Sequence, residues 1–510
     1  MTPPDATWLL RLYTRWRLPQ LLSLDPVAAQ RKTLFRLLAK ARHTRFGRAH
    51  GFDAMRTVED FQKQVPLRRY EDFWKDWWAP SFPTLDNLSW PGRIPFFALT
   101  SGTTTGTTKT IPVSKEMVRA NRRAALDILV WHLRHFPHAR PLAGKTLILG
   151  GSTALTKLAG GAMAGDLSGI AAKTIPFWAK PYTAPGTELA LLSDWDEKLD
   201  KIAQYALFAP VRVLSDTPSW LLLLFERVLE KRGHIGPAFP QLELLIHGGV
   251  NFEPYRARFQ EYLRPTGAVT REVYPASEGF IGMEDAGPGE GLRLLLDNGI
   301  FYEFVPADEL SSPSPPRHWV ENLETEVDYA IVLSTCAGLW GAVLGDTVRF
   351  IERSPPRFFI TGRVSWSLSA FGEHLSAGEI EEAASAVAKT LGMHIRDFCV
   401  GASFPEDAPS RGRHVFLIEL EEALQEEART FLQERFSALV DQELCRRNED
   451  YRTHRQKDVQ LLCPEIIFLP PGVFVRWMRR RGMLGGQHKV PRIVSDPARF
   501  SQMREEILAS

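Results

Sequence analysis

Along residues 8–45 leucines recur at helical spacing between Arg and Lys: Leu9, Leu10 and Leu12, then Leu34, Leu37 and Leu38. The pattern predicts an amphipathic helical N-terminus. EDFWKDWWAP, short and aromatic, reads as a packing segment. Ser114 stands where its hydroxyl caps a helix, and Met117, Val118, Ala124, Ala125, Ile128 and Leu129 then repeat on one face. Strand-like runs follow in alternation with helical ones: KTLILG, VRVLS, LELLIHGG and TREVYPASEG. Asp216-Thr217-Pro218 opens one of the intervening helices and Gly233 closes it. Such alternation predicts an α/β domain with a largely parallel sheet.

The character changes near residue 292. LRLLLDNGIFYEFVP reads as a β-hairpin turning at Asn298-Gly299. DYAIVLST, DTVRFIE and RFFITG are further strands, and a hinge is expected at Thr361-Gly362-Arg363. Beyond it, Ala377 to Lys389 and Glu421 to Arg447 read as helices around the strand HVFLIELE. The expected organisation is a large domain over 1–363 and a small α+β lid over 364–510.

Length and composition narrow this picture. A chain of 510 residues is too long for one ordinary core. The 62 basic and 60 acidic residues nearly cancel, so no global field favours nucleic acid. The basic run Arg476 to Arg481 fits a helix end or an anion contact. Cys336, Cys399, Cys445 and Cys463 are scattered and form no C-x-x-C, which argues against a zinc site and fits a reducing cytoplasm. No signal-peptide pattern and no membrane span are expected.

Four stretches could carry chemistry. TSGTTTGTTK begins at Thr100 and places glycines and hydroxyls before Lys109, a composition suited to holding phosphate. It lacks the Gly-Lys-Ser/Thr of a P-loop, and an ordinary Thr/Gly turn has the same residues. Gly248-Gly249 ends a strand, where α/β sheets place ligands; a strand-to-helix turn is the plainer reading. In VYPASEG, Tyr274 offers an aromatic face, Ser277 a hydroxyl and Glu278 a carboxylate for Mg²⁺; a surface Glu after a turn is the alternative. Asp346, after Gly345, can accept from a ribose or fill an Asx turn.

In series these stretches resemble the adenylate-forming superfamily and, within it, the acyl acid amido synthetases, the auxin-responsive Gretchen Hagen family of plants with its bacterial relatives. The stretches carrying the resemblance are ALTSGTTTGTTKTIPVS, HGGVNFEPY, YPASEGFIG, DNGIFYEFVP, CAGLWGAVLGDTVRF and GGQHKVPRIV, spread from about residue 30 to 495. The resemblance implies an α/β fold with mixed sheets, a β-barrel-like part and a C-terminal lid. It implies ATP and Mg²⁺ as cofactors, a carboxylic acid and an amine, in plants an amino acid, as substrates, and an acyl-adenylate between them. Carried over by motif, Ser101, Gly102, Thr103, Thr104 and Lys109 hold phosphates. Gly248, Gly249 and Val250 line the adenine, Tyr274 stacks on it, and Ser277 and Glu278 serve the α-phosphate and Mg²⁺. Asp346 holds the ribose and Arg363 sits at the hinge. Arg122 or Arg123 could pair the substrate carboxylate or form a solvated helix face. Phe177, Trp178 and Phe280 could shape an acid pocket or pack a core.

Two departures stand out. The small-domain Pro-Arg-Thr-x-x-Gly-Lys motif of the acyl-CoA and peptide-synthetase enzymes is missing, and His374 aligns where amido synthetases place a lysine after the hinge; Lys489 is the other candidate cation. GLWGAVLGD also lacks an Arg-Tyr-Arg before Gly-Asp. The rivals are an acyl-CoA ligase and a non-catalytic homologue that binds nucleotide or acid.

Overall fold

Asp25 divides the N-terminal helical run. α1 (Thr7–Leu22) stops before it, and α2 (Pro26–Ala41) starts after it. The Asp25 carboxylate accepts the Ala28 N–H at 2.6 Å, and Pro26 takes the first helical position. The single amphipathic segment expected over 8–45 is therefore two helices. Leu34, Leu37 and Leu38 of α2 are buried, whereas Leu9 and Leu12 of α1 are exposed. The computed structural model describes residues 3–100, 109–150, 155–190, 192, 195–249, 252–310, 312–363, 367–368, 371, 373, 375–404, 411–455, 461–481, 490–494 and 496–509.

The strands follow in chain order. β1 (Phe96–Thr100) and β2 (Lys109–Val113) pair antiparallel, closing on Thr100 opposite Lys109. β3 (Lys145–Ile148) belongs to the main sheet, while β4 (Thr156–Lys157) and β5 (Met163–Gly165) extend the β1–β2 sheet. β6 (Thr183–Ala184), β7 (Val211–Asp216), β8 (Leu244–Gly248) and β9 (Val269–Ala276) join β3 as the parallel half of the main sheet. β10 (Gly279–Met283), β11 (Leu292–Leu294), β12 (Ile300–Pro306), β13 (Asp328–Thr335), β14 (Ala342–Arg353) and β15 (Pro356–Arg363) continue it antiparallel. The order is β12-β13-β14-β15-β11-β10-β9-β8-β7-β3-β6. This is one open mixed sheet. Among the described residues the antiparallel half does not close into the barrel-like part expected from the resemblance.

The expected Asn298-Gly299 hairpin is not formed. β11 pairs with β10 and β15, and β12 pairs with β13 from Ile300 opposite Thr335. Gln30 of α2 supplies the physical reason. Its amide donates to Leu296 O at 2.8 Å and Ile300 O at 3.0 Å, and accepts from Tyr302 N at 2.8 Å. A buried glutamine thus occupies backbone groups that a hairpin would have paired. Gly299 still turns the chain, at φ +75°.

Past Arg363 a second core begins. β16 (Ser367–Leu368) and β17 (Leu375–Ser376) pair, then β18 (Ile395–Ser403), β19 (Arg413–Leu420), β20 (Glu465–Leu469) and β21 (Ile493–Val494) form a sheet ordered β20-β19-β18-β21. The Ala377–Leu391 and Glu426–Arg447 helices cover it, the second starting five residues later than expected. Ile380, Val400, Phe416, Phe436 and Val440 pack together here. Phe404 touches both cores, with its ring 5.6 Å from Tyr255 and 5.2 Å from Phe371. No helix among the described residues is long and apolar enough to cross a membrane.

Candidate functional site

The site grows from the ends of strands. Lys109 begins β2, opposite Thr100, so residues 101–108 connect two paired strand ends. Its ammonium lies 3.2 Å from Glu71 Oε1 and 5.1 Å from the centre of the Tyr70 ring. Tyr70 is fixed in turn by β2: its hydroxyl accepts the Thr110 N–H at 2.7 Å. Burial pushes the Tyr70 phenol up to about 12, and the Glu71 and Glu278 carboxylates push the same way. Glu278 stands in the two-residue turn between β9 and β10, beside Ser277, both half-buried. Lys109, Tyr70, Glu71 and Glu278 therefore share one electrostatic neighbourhood.

That turn is tight for a reason. A Cβ on Gly279 would meet Ile300 Cδ1 at 2.6 Å and Met117 Sδ at 3.2 Å. Met117 lies in the first turn of the Lys115–His135 helix, whose N-cap Ser114 accepts the Met117 N–H at 3.0 Å, as the sequence predicts. The helix start and the Glu278 turn are thus in contact.

Four residues before Glu278, Tyr274 donates its hydroxyl to Asp346 Oδ2. Its ring is 6% exposed, lies edge-on to Phe358 and belongs to the core. In this structure Tyr274 holds Asp346 and presents little open face. Asp346 sits inside β14, opposite Arg363 of β15, rather than in a turn. Gly345 before it has φ +103°. The segment before Tyr70 joins both groups: Arg68 pairs with Ala342 of β14 and exchanges backbone hydrogen bonds with Gly341 and Val343.

Gly248 completes the set from the parallel half. It lies opposite Val273 in the β8–β9 register, and a Cβ there would meet the Val273 carbonyl oxygen at 2.2 Å. Only glycine fits this approach. Gly249 has φ +87°, and its missing Cβ would face Thr217 at 3.4 Å. Beside Thr217, the Asp216 carboxylate accepts from Gly150 N at 2.6 Å and Thr217 N at 2.7 Å, and burial pushes its pKa up to about 6. Lys198 is buried behind them, donating to Gly150 O at 2.9 Å and Ala190 O at 3.2 Å.

The structure thus links Lys109 to Glu278 through Tyr70, and Gly248, Tyr274, Ser277, Glu278 and Asp346 through β9 and its neighbours, while Gly249 follows β8 and faces Thr217. Arg363 enters through its backbone register; its side chain lies outside the described residues. Ser101, Gly102, Thr103, Thr104, Val250, His374 and Lys489 also lie outside them. The two arginines of the Ser114-capped helix separate. Arg123 donates to the Asp297 carbonyl, a structural tie, while Arg122 Nε and its neighbour Asn121 Oδ1 are buried without a partner among the described residues. Phe177 and Trp178 are exposed and pack no core, whereas Phe280 is half-buried beside the helix.

Sequence reasoning missed Tyr70, Glu71, Asp216 and Lys198. Glu71 was absorbed into an aromatic packing segment and Tyr70, just before it, was not singled out; no spacing rule links them to a lysine almost forty residues later. Asp216 was visible only as a helix start. Lys198 lies in a helical pattern where a lysine reads as solvated, yet it is 1% exposed.

Comparison with known proteins gives this geometry its context. Residues 20–191 match the model of the GH3 family N-terminal domain, 293–363 the central domain and 378–498 the C-terminal domain. The indole-3-acetic acid-amido synthetase GH3.3 of Arabidopsis thaliana is 26% identical over 241 residues, 44% of this chain and 38% of that protein. The jasmonoyl–L-amino acid synthetase GH3.5 of Oryza sativa subsp. japonica is 28% identical over 190 residues, 33% of this chain and 32% of that protein. These matches span less than two fifths of either relative's length. Among solved structures, the GH3.15 acyl acid amido synthetase superposes with TM-score 0.58 at 18% identity, covering 100% of this chain and 97% of that one. A 2-hydroxyisobutyryl-CoA ligase bound to its acyl-AMP and CoA superposes with TM-score 0.56 at 14% identity, covering 96% and 94%. At these identities the superpositions carry the fold. The three domain models match in order and together cover most of the sequence, and the chain belongs to the GH3 family.

Proposed function

We propose that the protein is an ATP-dependent acid–amine ligase. It joins a carboxylic acid to the α-phosphate of ATP, releasing pyrophosphate. An amine, an amino acid in this reading, then attacks the acyl carbon, forms the amide and releases AMP. The carrying observation is the linked set Lys109–Tyr70–Glu278 and Tyr274–Asp346 in a chain matched by all three domains of an amido synthetase family.

The roles carry over from the motifs, and for the described residues their positions support them. The backbone and hydroxyls of Ser101, Gly102, Thr103 and Thr104, with the Lys109 ammonium, hold the phosphates and offset charge as pyrophosphate leaves. The bare backbone at Gly248 and Gly249, continued by Val250, takes the flat base; Gly248 owes its missing side chain to the close approach of the Val273 carbonyl on the strand that carries Tyr274. Asp346, oriented by Tyr274, accepts from the ribose. Ser277 lies beside the α-phosphate. The half-buried Glu278 carboxylate suits a Mg²⁺ ion held mainly by phosphate oxygens, which needs one or two carboxylates rather than a protein cage. The metal would draw charge from the phosphates. Arg122, with its unpartnered Nε, takes the acid carboxylate in preference to Arg123, which already serves Asp297. His374 supplies the cation after the hinge. The division at 363/364 is supported by β15 ending at Arg363 and by the second core beyond it. This reading puts the protein in the cytoplasm, with ATP and amino acids.

The test is pyrophosphate release across aromatic, indolic and fatty acids, with the amine varied second and coenzyme A as a separate arm. Amine-dependent amide formation is expected. Turnover only with coenzyme A would make it an acyl-CoA ligase, and nucleotide binding with no release for any acid would make it a binding protein. Replacing a permanent cation by His374 also predicts an adenylation rate that falls between about pH 6 and 8 as the imidazole loses its proton. A flat profile there removes His374 from the step.

A further inference from the structure

We propose that the outer face of α1 docks the protein on an anionic lipid surface. Helical geometry puts Trp8, Leu12, Arg15, Trp16 and Pro19 within an arc of about 100°. All five are exposed, Trp8 at 60% and Trp16 at 61%. The opposite face is committed: Leu10 and Leu21 are buried against the Lys115–His135 helix and the sheet. Two tryptophans left in water on one ridge mark a surface with an occupant.

Charge selects that occupant. α1 contains no acidic residue. Its exposed cations are Arg11 and Arg15; the third, Arg17, is buried between Asp127 and Asp297. A second exposed segment is tied to the start of the helix. Tyr182 donates its hydroxyl to Pro4 O at 2.9 Å, which fastens the segment before it to the start of α1. That segment exposes Phe177, at 84%, and Trp178, between the exposed Lys173 and Lys180. Apolar rings among cations, with the chain as a whole near neutrality, match the headgroup layer of an anionic bilayer. Tryptophan rings sit at that depth and arginine heads reach its phosphates.

A second copy fits less well. A two-fold contact through this ridge would gather the Arg11 and Arg15 charges of both copies, with no carboxylate on the helix to offset them. The family match begins at residue 20, so almost all of α1 lies outside the matched domain.

The test uses the full chain and vesicles of phosphatidylcholine alone or mixed with phosphatidylglycerol, read by co-sedimentation. Binding to the mixed vesicles, and its loss at high salt, is expected. Trp8→Ser with Trp16→Ser should weaken partitioning at least about tenfold, since two large rings no longer enter the interface. Arg11→Gln with Arg15→Gln should weaken it by about fivefold per charge and flatten the salt dependence. These side chains are exposed, so unchanged thermal unfolding should accompany both losses. No binding to the mixed vesicles, or equal binding by the tryptophan variant, overturns the proposal. Concentration-dependent dimers in lipid-free buffer that the tryptophan variant loses would assign the ridge to a second copy and also overturn it.

Discussion

Two charged clusters in the part of the chain before Arg363 use the same chemistry and finish differently. In the first, Arg17 donates to Asp127 at 2.7 Å and to Asp297 at 2.9 Å, Tyr13 adds a bond to Asp127 at 3.3 Å, and Arg123 closes on the Asp297 carbonyl. Arg17 and Asp127 are almost fully buried, and the cluster ties α1 to the Lys115–His135 helix and the Leu295–Gly299 turn. In the second, Lys109 lies 3.2 Å from Glu71, yet Glu71 Oε1 is not aligned for a hydrogen bond, and a second carboxylate, Glu278, stands near. A saturated buried ion cluster is a structural tie, because removing one member strands the others. A cluster at the ends of strands in which one carboxylate oxygen, Glu71 Oε1, has no hydrogen-bond partner among the described residues keeps capacity for a ligand.

That contrast is broken or sharpened most strongly by removing one member of each. Arg17→Ala should cost about 3–5 kcal/mol of stability while leaving turnover per folded molecule near wild type. Glu278→Ala should leave thermal unfolding within a few degrees and lower turnover about a hundredfold or more. Urea titration and pyrophosphate release on both variants check the pair. If Glu278→Ala unfolds the protein at full specific activity, the second cluster is structural too.

Buried groups with no charge partner supply a third case. His247, just before Gly248, is stacked on Phe252 with ring centres 3.7 Å apart, and burial, aided by Arg256, lowers its pKa to about 3. It is neutral in the folded protein below the pH at which it charges in the unfolded chain. Between about pH 6.5 and 3 the unfolded chain binds the extra proton, so acid destabilises the fold, by about 2 kcal/mol at pH 5 from this residue. His247→Gln should lose less stability than wild type when urea titrations at pH 7 and pH 5 are compared. Equal losses would remove His247 from the acid response.

How much of this was legible depends on what each feature needs. Strands β7, β8 and β9 and the Ser114 cap were readable because short apolar runs ended by turn residues, and a capping hydroxyl, leave local patterns. The β11–β12 hairpin was misread because pairing was decided by Gln30, far away in the chain. Leu9 and Leu12 were misread because helical periodicity marks an apolar face without saying what covers it. At the site, Gly248, Glu278 and Asp346 were visible through their motifs. Tyr70 and Glu71 were not, since their partner, Lys109, is set by the β1–β2 register. Tyr274 was found but for another use: sequence offered its ring as a stacking face, whereas the structure commits its hydroxyl to Asp346.

That last difference yields the finest test of the contrast. If Asp346 grips the ribose, Asp346→Ala should weaken nucleotide binding by about 1–3 kcal/mol through lost hydrogen bonds to a charged acceptor. Tyr274→Phe keeps the ring and its packing against Phe358 but removes the donor that orients the carboxylate. It should cost about 1 kcal/mol of nucleotide affinity, and the double variant should be no worse than Asp346→Ala alone, because both changes act through one carboxylate. Calorimetric titration of the four proteins with ATP measures that coupling. Additive losses would mean that Tyr274 meets the nucleotide independently, through its ring; a neutral Tyr274→Phe with a damaging Asp346→Ala would mean that the aspartate is held in place by its strand alone.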